Sequence, residues 1–312
     1  MKKLAVYTDT EDLDPAEGID LLTKNDFEVV RLETKNGNEI INAAKDAAAL
    51  LVGYAPITEE IIEKLPKLKI VSMLSTGYDN VDLNALKKRN IELATLGALP
   101  AEEVASHTAA ITLGMIRGVP AFQEVARSKE WFQTPHPVMP PRISNLTLGI
   151  MGFGRIGKLI GEFLKPQFNK VIFYDPFIPE SPNSEIEKVD FDKLVQTSDV
   201  VVLSLPATKE NRHLINETVF KKMKKNSYFV NTARGSLVDT SALLSAIESG
   251  HLAGAALDVL DEEPPKLSNP ILHNEKVLVT PHVAYLSSYT NSAYIRVQAE
   301  NVINFFANGR GN

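Results

Sequence analysis

The 312 residues suffice for about two domains, and a content of 44% hydrophobic and 23% charged residues excludes a largely disordered chain. Acidic residues outnumber Lys and Arg by 39 to 33, and the net charge of −6 argues against nucleic acid or an anionic membrane as a partner. The chain has no cysteine, which excludes a disulfide and a cysteine-ligated zinc site, and it has no apolar run long enough to span a membrane. We predict no metal site and a cytoplasmic location.

The first third of the chain alternates β-branched runs with helical patterns, which is typical of a doubly wound parallel α/β domain. An alanine-rich helix is predicted next, over 101–117, with acidic residues in its first turn. We interpret His107 on this helix as a packing residue. The strands of the first domain are predicted at 3–8, 27–32, 48–54, 69–74 and 91–95, and its helices at 15–24, 39–44, 59–65 and 83–89.

A second alternating series begins near Leu146 and has the strand count of a full Rossmann unit. The segment 289–307 is predicted to be a helix whose apolar face packs back on the first domain. We therefore predict two doubly wound parallel-sheet domains, a discontinuous one over 1–98 and 286–312 and a continuous one over 99–285. The strands of the second domain are predicted at 147–151, 170–174, 200–205, 227–232, 254–259 and 277–280.

Gly152, Gly154 and Gly157 form a Gly-x-Gly-x-x-Gly pattern between a predicted strand and a predicted helix. Glycines so placed allow a tight turn, close approach of the backbone to a pyrophosphate and close packing of the helix on the strand. Asp175 ends the next predicted strand, near the spacing of about 20 residues that is typical of a ribose-binding acid. The alternative is a simple turn residue before Pro176. A carboxylate there would repel a 2′-phosphate, so the predicted cofactor is NAD rather than NADP.

Three successive strands of the second domain are followed by residues that suit the chemistry of a hydroxy acid. Arg234 follows the first, Asp258 and an acidic run ending in Glu263 follow the second, and His282 follows the third. A guanidinium can hold a carboxylate bidentately and polarise a carbonyl. An imidazole can exchange the proton on the carbonyl oxygen, and a neighbouring carboxylate would fix its tautomer. Taken singly, these residues could instead be a surface charge, a solvated loop and a Pro-His turn.

Together these motifs resemble the NAD-dependent D-2-hydroxyacid dehydrogenase family, over essentially the whole chain. The resemblance implies a flavodoxin-like substrate domain and a Rossmann NAD-binding domain with a cleft between them, and a homodimer formed through the cofactor domains. It rests on the glycine pattern with Asp175, on the segments 203–208, 231–235 and 256–259, on Glu263-Pro264, and on 280–282.

The resemblance also implies a role for individual residues. Arg234, Glu263 and His282 would be catalytic, and Asp258 would hold the nicotinamide carboxamide. Further cofactor contacts would come from Arg155, Ile156, Pro206, Thr208, Thr232 and Ala233, and substrate contacts from Tyr54, Ser75, Thr76 and Gly77 together with Arg234 and His282.

The sequence therefore predicts an NAD-dependent oxidoreductase that interconverts a small 2-oxo acid and its D-2-hydroxy acid. A 3-phosphoglycerate or a hydroxypyruvate/glyoxylate dehydrogenase of the same family is an alternative. A second alternative, of another class, is an NAD-sensing protein similar to the transcriptional corepressors that share this fold. For Tyr54 and for Ser75–Gly77, ordinary packing and a plain turn stay open as alternatives.

Overall fold

The computed structural model describes residues 2–10, 13–128, 131, 136, 138–181 and 185–309. The chain divides into two compact units, unit 1 over Met1–Pro100 and Leu286–Asn312 and unit 2 over Ala101–Tyr285. Within the described residues, no helix combines the length and the apolar character needed to cross a membrane.

Unit 1 is built on a parallel sheet of five strands in the order β2-β1-β3-β4-β5. This is the flavodoxin-like order, in which the direction of winding reverses between β1 and β3. Buried apolar residues cover both faces of the sheet, as its continuous apolar strands require. The strands are β1 Lys3–Tyr7, β2 Phe27–Arg31, β3 Ala47–Val52, β4 Ile70–Met73 and β5 Glu92–Ala94, and the helices are α1 Ala16–Lys24, α2 Gly37–Ala44, α3 Glu59–Lys64, α4 Leu83–Lys88 and α11 Ser288–Ala307.

Helix α11 begins in a capping box, in which Ser287 and Thr290 each bond the other's backbone N–H. It packs on α1 and β4. The buried amide of Gln298 donates to the carbonyl groups of Val52 and Ser72 at 3.2 and 2.9 Å, and so joins the helix to two strands of the sheet. These contacts place the C-terminal helix within unit 1.

Unit 2 contains a parallel sheet of seven strands in the order β12-β11-β10-β9-β6-β7-β8. This is the Rossmann order with one further strand, and the winding reverses between β6 and β9. The strands are β6 Thr147–Met151, β7 Lys170–Tyr174, β8 Glu187–Lys188, β9 Val200–Leu203, β10 Ser227–Asn231, β11 Leu252–Leu257 and β12 Val277–Val279, and the helices are α5 Ala101–Ile116, α6 Val119–Arg127, α7 Arg155–Leu164, α8 Phe191–Thr197, α9 Glu217–Lys222 and α10 Thr240–Glu248.

The predicted fold class is confirmed, and unit 2 adds two elements that the sequence pattern does not predict. Strand β8 has only two residues at the edge of the sheet, too few to produce an apolar alternation. Helix α6 follows α5 after a left-handed Gly118. None of its residues is buried, so it contributes no residue to the apolar pattern of the core.

Candidate active site

The loop between β6 and α7 is folded tightly around two of its glycines. Gly152 has a φ of 90°, and a Cβ there would overlap the carbonyl oxygen of Ser204. A Cβ on Gly157 would overlap the carbonyl oxygen of Gly152. Beside Gly154, by contrast, a Cβ would meet no described residue within 4 Å other than its own neighbours along the chain. The turn is therefore packed on its protein side and open at Gly154.

Helix α7 begins at Arg155 with Gly154 as its N-cap, so that no side chain caps it. Helices α8, α9 and α10 are each capped by an Asp or Asn side chain. The first N–H groups of α7 thus keep their capacity to donate, and the helix dipole together with the exposed Arg155 adds positive charge. Ile156, in the same turn, packs against the core of unit 2. This helix end fits an anionic group such as a pyrophosphate.

Asp175 follows β7 and joins the end of that strand to the glycine turn. One carboxylate oxygen accepts a hydrogen bond from the N–H of Phe153 and the other from that of Phe177, both at 2.9 Å. Each oxygen retains a further lone pair. Asp175 is therefore held in position by the turn and can still accept hydroxyl donors such as those of a ribose.

Pro206 and Thr208 lie in the exposed loop after β9, on the other side of the point where the winding reverses. Asn211 holds this loop, because its side chain donates to the carbonyl of Pro206 at 2.8 Å and accepts from the N–H of Thr208 at 2.7 Å. The N–H of Ser204 donates to the carbonyl of Met151 at 2.7 Å, which ties the start of the loop to β6. In open α/β sheets this position is where ligands bind.

Asn231, the buried last residue of β10, shapes the turn that carries Arg234. Its amide nitrogen donates to the carbonyl of Arg234 and its amide oxygen accepts from the N–H of Ala233, both at 2.9 Å. The hydroxyl of Thr232 lies 2.7 Å from the hydroxyl of Thr108 on α5. Sequence reasoning assigned no role to Asn231, although it stands in the motif that includes Arg234.

The turn at Arg234 touches the loop that follows β11. A Cβ on Gly235 would overlap the backbone of Leu260 and Asp261, so only glycine allows the two segments to meet. The loop continues to Glu263, and the charge of Arg234 acts on the carboxyl of Glu263. The ends of β10 and β11 thus bring the predicted guanidinium and the predicted carboxylate into one cluster.

His282 and Glu263 form a direct pair. Nδ1 of His282 lies 2.6 Å from Oε2 of Glu263, and since an ionised carboxylate can only accept, Nδ1 carries the hydrogen. The other carboxylate oxygen accepts from the N–H of Leu260 at 2.7 Å. Burial alone would raise the pKa of Glu263, but the hydrogen bond and charge of His282, the N–H of Leu260 and the charge of Arg234 hold that pKa below its ordinary value.

This lowered pKa predicts a pH-dependent stability. A carboxyl whose pKa is lower in the folded state stabilises that state above the unfolded pKa, and the contribution is lost as the pH falls through the folded value. We therefore expect the wild type to have a larger free energy of unfolding than Glu263→Gln at about pH 5. The difference between the two should become smaller as the pH falls towards about 3. Urea unfolding at several pH values measures it. Glu262→Gln, at the exposed neighbour, should show no such narrowing, and a constant advantage for Glu263 would contradict the prediction.

Asp258 follows β11 and is buried, and the hydrogen-bond donors to its carboxylate come from the segment that carries His282. Its carboxylate accepts from the N–H groups of Val283 and Ala284, both at 3.0 Å, and from the hydroxyl of Thr280 at 2.6 Å. The contact with a nicotinamide carboxamide that the resemblance implies stays a prediction. What the structure shows is that Asp258 holds the turn of the imidazole.

In unit 1, the predicted substrate residues follow β3 and β4, two neighbouring strands. Tyr54 is half-exposed, and its ring centroid lies 5.3 Å from Nζ of Lys35. The hydroxyl of Ser75 donates to the carbonyl of Gly77 at 2.5 Å, and that of Thr76 donates to a backbone carbonyl at 2.9 Å. Because the carboxyl ends of parallel strands share one edge, these four residues lie along the same edge of the sheet.

Asp9, which follows β1, organises the turn that carries Tyr54. Its buried carboxylate accepts from the successive N–H groups of Gly53, Tyr54 and Ala55 at 3.2, 2.6 and 3.2 Å. The side-chain amide of Asn80 donates to the carbonyls of Gly53 and Ala55 at 3.4 and 2.9 Å. We call Asp9 and Asn80, which together hold this turn, the clamp. The clamp lies between β1 and β3, where the winding of unit 1 reverses. Sequence reasoning missed it, because no local pattern relates these positions.

We expect Asp9→Ala to destabilise the protein by about 2–4 kcal/mol, because it leaves buried N–H groups without their charged acceptor. Urea unfolding followed by circular dichroism gives the free energy of unfolding. Asp9→Asn, which keeps one acceptor oxygen, is the matched control and should lose less. Equal stability of Asp9→Ala and the wild type would show that the clamp contributes nothing.

Unit 2 combines a Rossmann sheet with an uncapped glycine turn after one strand and an imidazole–carboxylate pair after two other strands. This is the arrangement of a dehydrogenase that uses a dinucleotide. Residues 109–284 match the model of the family described as D-isomer specific 2-hydroxyacid dehydrogenase, NAD binding domain. The chain therefore belongs to the D-2-hydroxyacid dehydrogenase family. It is an oxidoreductase that uses a nicotinamide cofactor.

Individual relatives carry several names within this family. The chain is 36% identical to a glyoxylate reductase of Korarchaeum cryptofilum over 271 residues, covering 85% of this chain and 82% of the relative. It is 33% identical to a D-3-phosphoglycerate dehydrogenase of Archaeoglobus fulgidus, covering 92% of this chain and 55% of that relative. The solved structure of D-lactate dehydrogenase from Aquifex aeolicus, complexed with NAD and lactic acid, has a TM-score of 0.89 at 29% identity and covers 98% of this chain and 96% of its own.

Proposed function

We propose that this enzyme reduces a small 2-oxo acid to the D-2-hydroxy acid, with glyoxylate and hydroxypyruvate as the first candidates. The observation that carries the proposal is the 2.6 Å contact between His282 and Glu263, with the charge of Arg234 acting on the same carboxyl. The glyoxylate reductases that are similar to this chain over more than four fifths of both lengths support the choice of substrate.

The residues of unit 2 fit a dinucleotide. The N–H groups at Gly154 and Arg155 would receive the pyrophosphate and Asp175 the ribose hydroxyls. The loop with Pro206 and Thr208 and the turn with Thr232 and Ala233 would line the remainder of the site, as the resemblance implies. When bound, the nicotinamide supplies the hydride chemistry.

The side chains of the cluster perform the polar part of the reaction. The guanidinium of Arg234 would hold the substrate carboxylate and polarise the reacting carbonyl. His282 would donate a proton from Nε2 to the carbonyl oxygen, since its Nδ1–H is engaged by Glu263. Glu263 would keep the ring in this orientation, and its negative charge would stabilise the positively charged imidazolium. The substrate contacts of Tyr54, Ser75, Thr76 and Gly77 in unit 1 are those that the family resemblance implies, and they stay a prediction.

We expect the enzyme to prefer NADH to NADPH, and Asp175→Asn to reduce this preference by about tenfold, or about 1.4 kcal/mol, because it removes the charge that repels a 2′-phosphate. The ratio of kcat/KM for the two cofactors measures it. Glu180→Gln, at a surface acid in the same connection, is the control. An unchanged ratio in Asp175→Asn would remove Asp175 from the cofactor site.

We also propose a homodimer formed through unit 2, and a cytoplasmic location. Helix α6 has an amphipathic sequence without one buried residue, and its first residue, Val119, exposes a large apolar side chain. Trp131 and Met139, which follow α6 in the chain, are exposed as well. A second copy of this chain is the occupant that the family resemblance implies. Light scattering after size exclusion should give twice the monomer mass, and Val119→Glu with Trp131→Glu should shift the protein towards the monomer.

A panel of 2-oxo acids tests the function. We expect NADH oxidation with both glyoxylate and hydroxypyruvate. Only hydroxypyruvate gives a chiral product, and we expect this product to be the D-2-hydroxy acid. Turnover with pyruvate, phenylpyruvate or 2-oxoisocaproate alone would keep the reaction and change the substrate. Binding of NADH without turnover of any 2-oxo acid would overturn the proposal in favour of a nicotinamide-sensing protein.

A phosphorylated substrate is the second candidate, because Nζ of Lys35 lies over the ring of Tyr54 and brings positive charge to the predicted substrate edge. The similarity to D-3-phosphoglycerate dehydrogenases agrees with it. Phosphohydroxypyruvate therefore belongs in the panel. A kcat/KM above that for hydroxypyruvate, lost in Lys35→Met, would favour this candidate.

A further inference from the structure

Asp258 accepts hydrogen bonds from three successive amides of the turn that carries His282. His282 has a φ of 53°, a left-handed conformation that is uncommon for any residue except glycine. Its N–H is shared between the backbone carbonyls of Asp258 and Thr280 at 2.8 and 3.0 Å. The next two N–H groups, of Val283 and Ala284, donate to the Asp258 carboxylate at 3.0 Å each. The carboxylate of Asp258 thus fixes the two residues that directly follow the imidazole.

Asp258 is in turn held by a chain of two further side chains. The hydroxyl of Thr280 lies 2.6 Å from Oδ1 of Asp258, and because a carboxylate has no hydrogen to give, the hydroxyl donates. Nε2 of His107 lies 3.0 Å from the same hydroxyl oxygen, whose one hydrogen is already used. Nε2 of His107 must therefore be the donor, and it also lies 3.5 Å from Oδ1 of Asp258. The hydrogen-bonded chain runs from His107 through Thr280 to Asp258, with this longer direct contact between its two ends.

Burial gives this chain its importance. The side chain of Asp258 is 1% exposed and that of His107 is 23% exposed. A carboxylate removed from water needs its full set of donors, and donors in series polarise one another. Without the hydroxyl of Thr280, the carboxylate of Asp258 would shift towards other donors, and the amides of Val283 and Ala284 would lose their fixed acceptor.

We infer that His107 and Thr280 are positioning residues for the proton donor: the chain from His107 through Thr280 to Asp258 fixes the turn of His282. This role rests on the dehydrogenase function proposed above. It assigns to His107, on α5, a task beyond packing. His107 acts through Thr280 and Asp258 and is therefore a positioning residue.

Two pairs of variants test this role. We expect Thr280→Val, which keeps the shape and removes the hydroxyl, to lower kcat about tenfold, since small displacements of catalytic groups cost this much or more. The KM for NADH should stay within about twofold. Thr280→Ser, which restores the hydroxyl, should recover most of the turnover. In the same way His107→Leu should lower kcat, and His107→Gln, whose amide can donate near the position of Nε2, should recover most of it.

Amide hydrogen exchange in the cofactor-free protein supplies a readout that does not depend on turnover. Exchange at residues 282–284 should be at least several-fold faster in Thr280→Val and in His107→Leu than in the wild type, and it should return to near the wild-type rate in Thr280→Ser and His107→Gln. Unchanged exchange in the first two variants would overturn the inference. The inference would also be overturned if Thr280→Ser lost as much turnover as Thr280→Val, and His107→Gln as much as His107→Leu. If the wild type reduces no 2-oxo acid, the proposed function fails by itself, and exchange still decides whether the chain holds the turn.

Discussion

We expect His282→Asn to lower the rate of 2-oxo acid reduction by about 10²–10⁴-fold, the usual contribution of a general acid. Asparagine is a sharper replacement than alanine because it adopts the left-handed conformation of His282, with its φ of 53°, more readily than other residues with a side chain. Its amide can still donate to Glu263 but cannot transfer a proton. The loss of kcat, measured from NADH absorbance, therefore reports proton transfer rather than collapse of the turn.

A solvent isotope effect and the affinity for NADH separate this role from a structural one. The wild-type rate should be lower in D₂O than in H₂O because a proton is transferred, whereas the residual rate of His282→Asn should lose most of this solvent isotope effect. NADH affinity, measured by fluorescence titration, should change little. His273→Asn is the control, because His273 is exposed and contacts only a backbone carbonyl among the partners described for it. Near-normal turnover in His282→Asn would show that another group donates the proton.

The proximity of the cluster could be predicted because parallel strands end at the same edge of a sheet. Arg234, Glu263 and His282 each follow a strand recognisable from its apolar run, and β10, β11 and β12 are consecutive neighbours in the sheet. In the first βαβ unit of the same domain, the glycine pattern likewise predicted where α7 begins, and the spacing to Asp175 predicted the acid at the end of the next strand. In regular strands and helices the spacing of residues along the chain determines where they lie at the edge of the sheet. These parts of the site can therefore be predicted from local sequence patterns.

The supporting residues could not be predicted, because their partners are distant in the chain and leave no periodic signal. Asp9 bonds N–H groups 44 to 46 residues away, and His107 meets Thr280 across 173 residues. The alanine-rich sequence around His107 indicates a packed helix, which α5 is. Its contact with Thr280 depends on how α5 lies against β12, and no spacing within either segment encodes that packing.

We expect Arg234→Gln to lower kcat/KM for the 2-oxo acid by about 10²–10³-fold, the cost of removing one preorganised donor from developing negative charge. Arg234→Lys should recover little of this, because an ammonium cannot present two parallel N–H groups to a carboxylate. The affinity for NADH should stay within about threefold, since the guanidinium is assigned to the substrate. Steady-state kinetics with varied 2-oxo acid measures the effect. Arg212→Gln is the control, because its guanidinium pairs with Asp261 at 2.8 Å on the neighbouring loop.

A substrate without the carboxylate isolates the contact that Arg234 is proposed to make. The wild type should prefer the 2-oxo acid to its methyl ester by a large factor. Arg234→Gln should lower kcat/KM for both substrates, because both lose polarisation of the carbonyl, but it should lower it much more for the acid. The two effects form a double-mutant cycle whose coupling measures the guanidinium–carboxylate interaction. Equal losses for acid and ester would leave Arg234 with polarisation of the carbonyl alone, and no loss for either would remove it from the site.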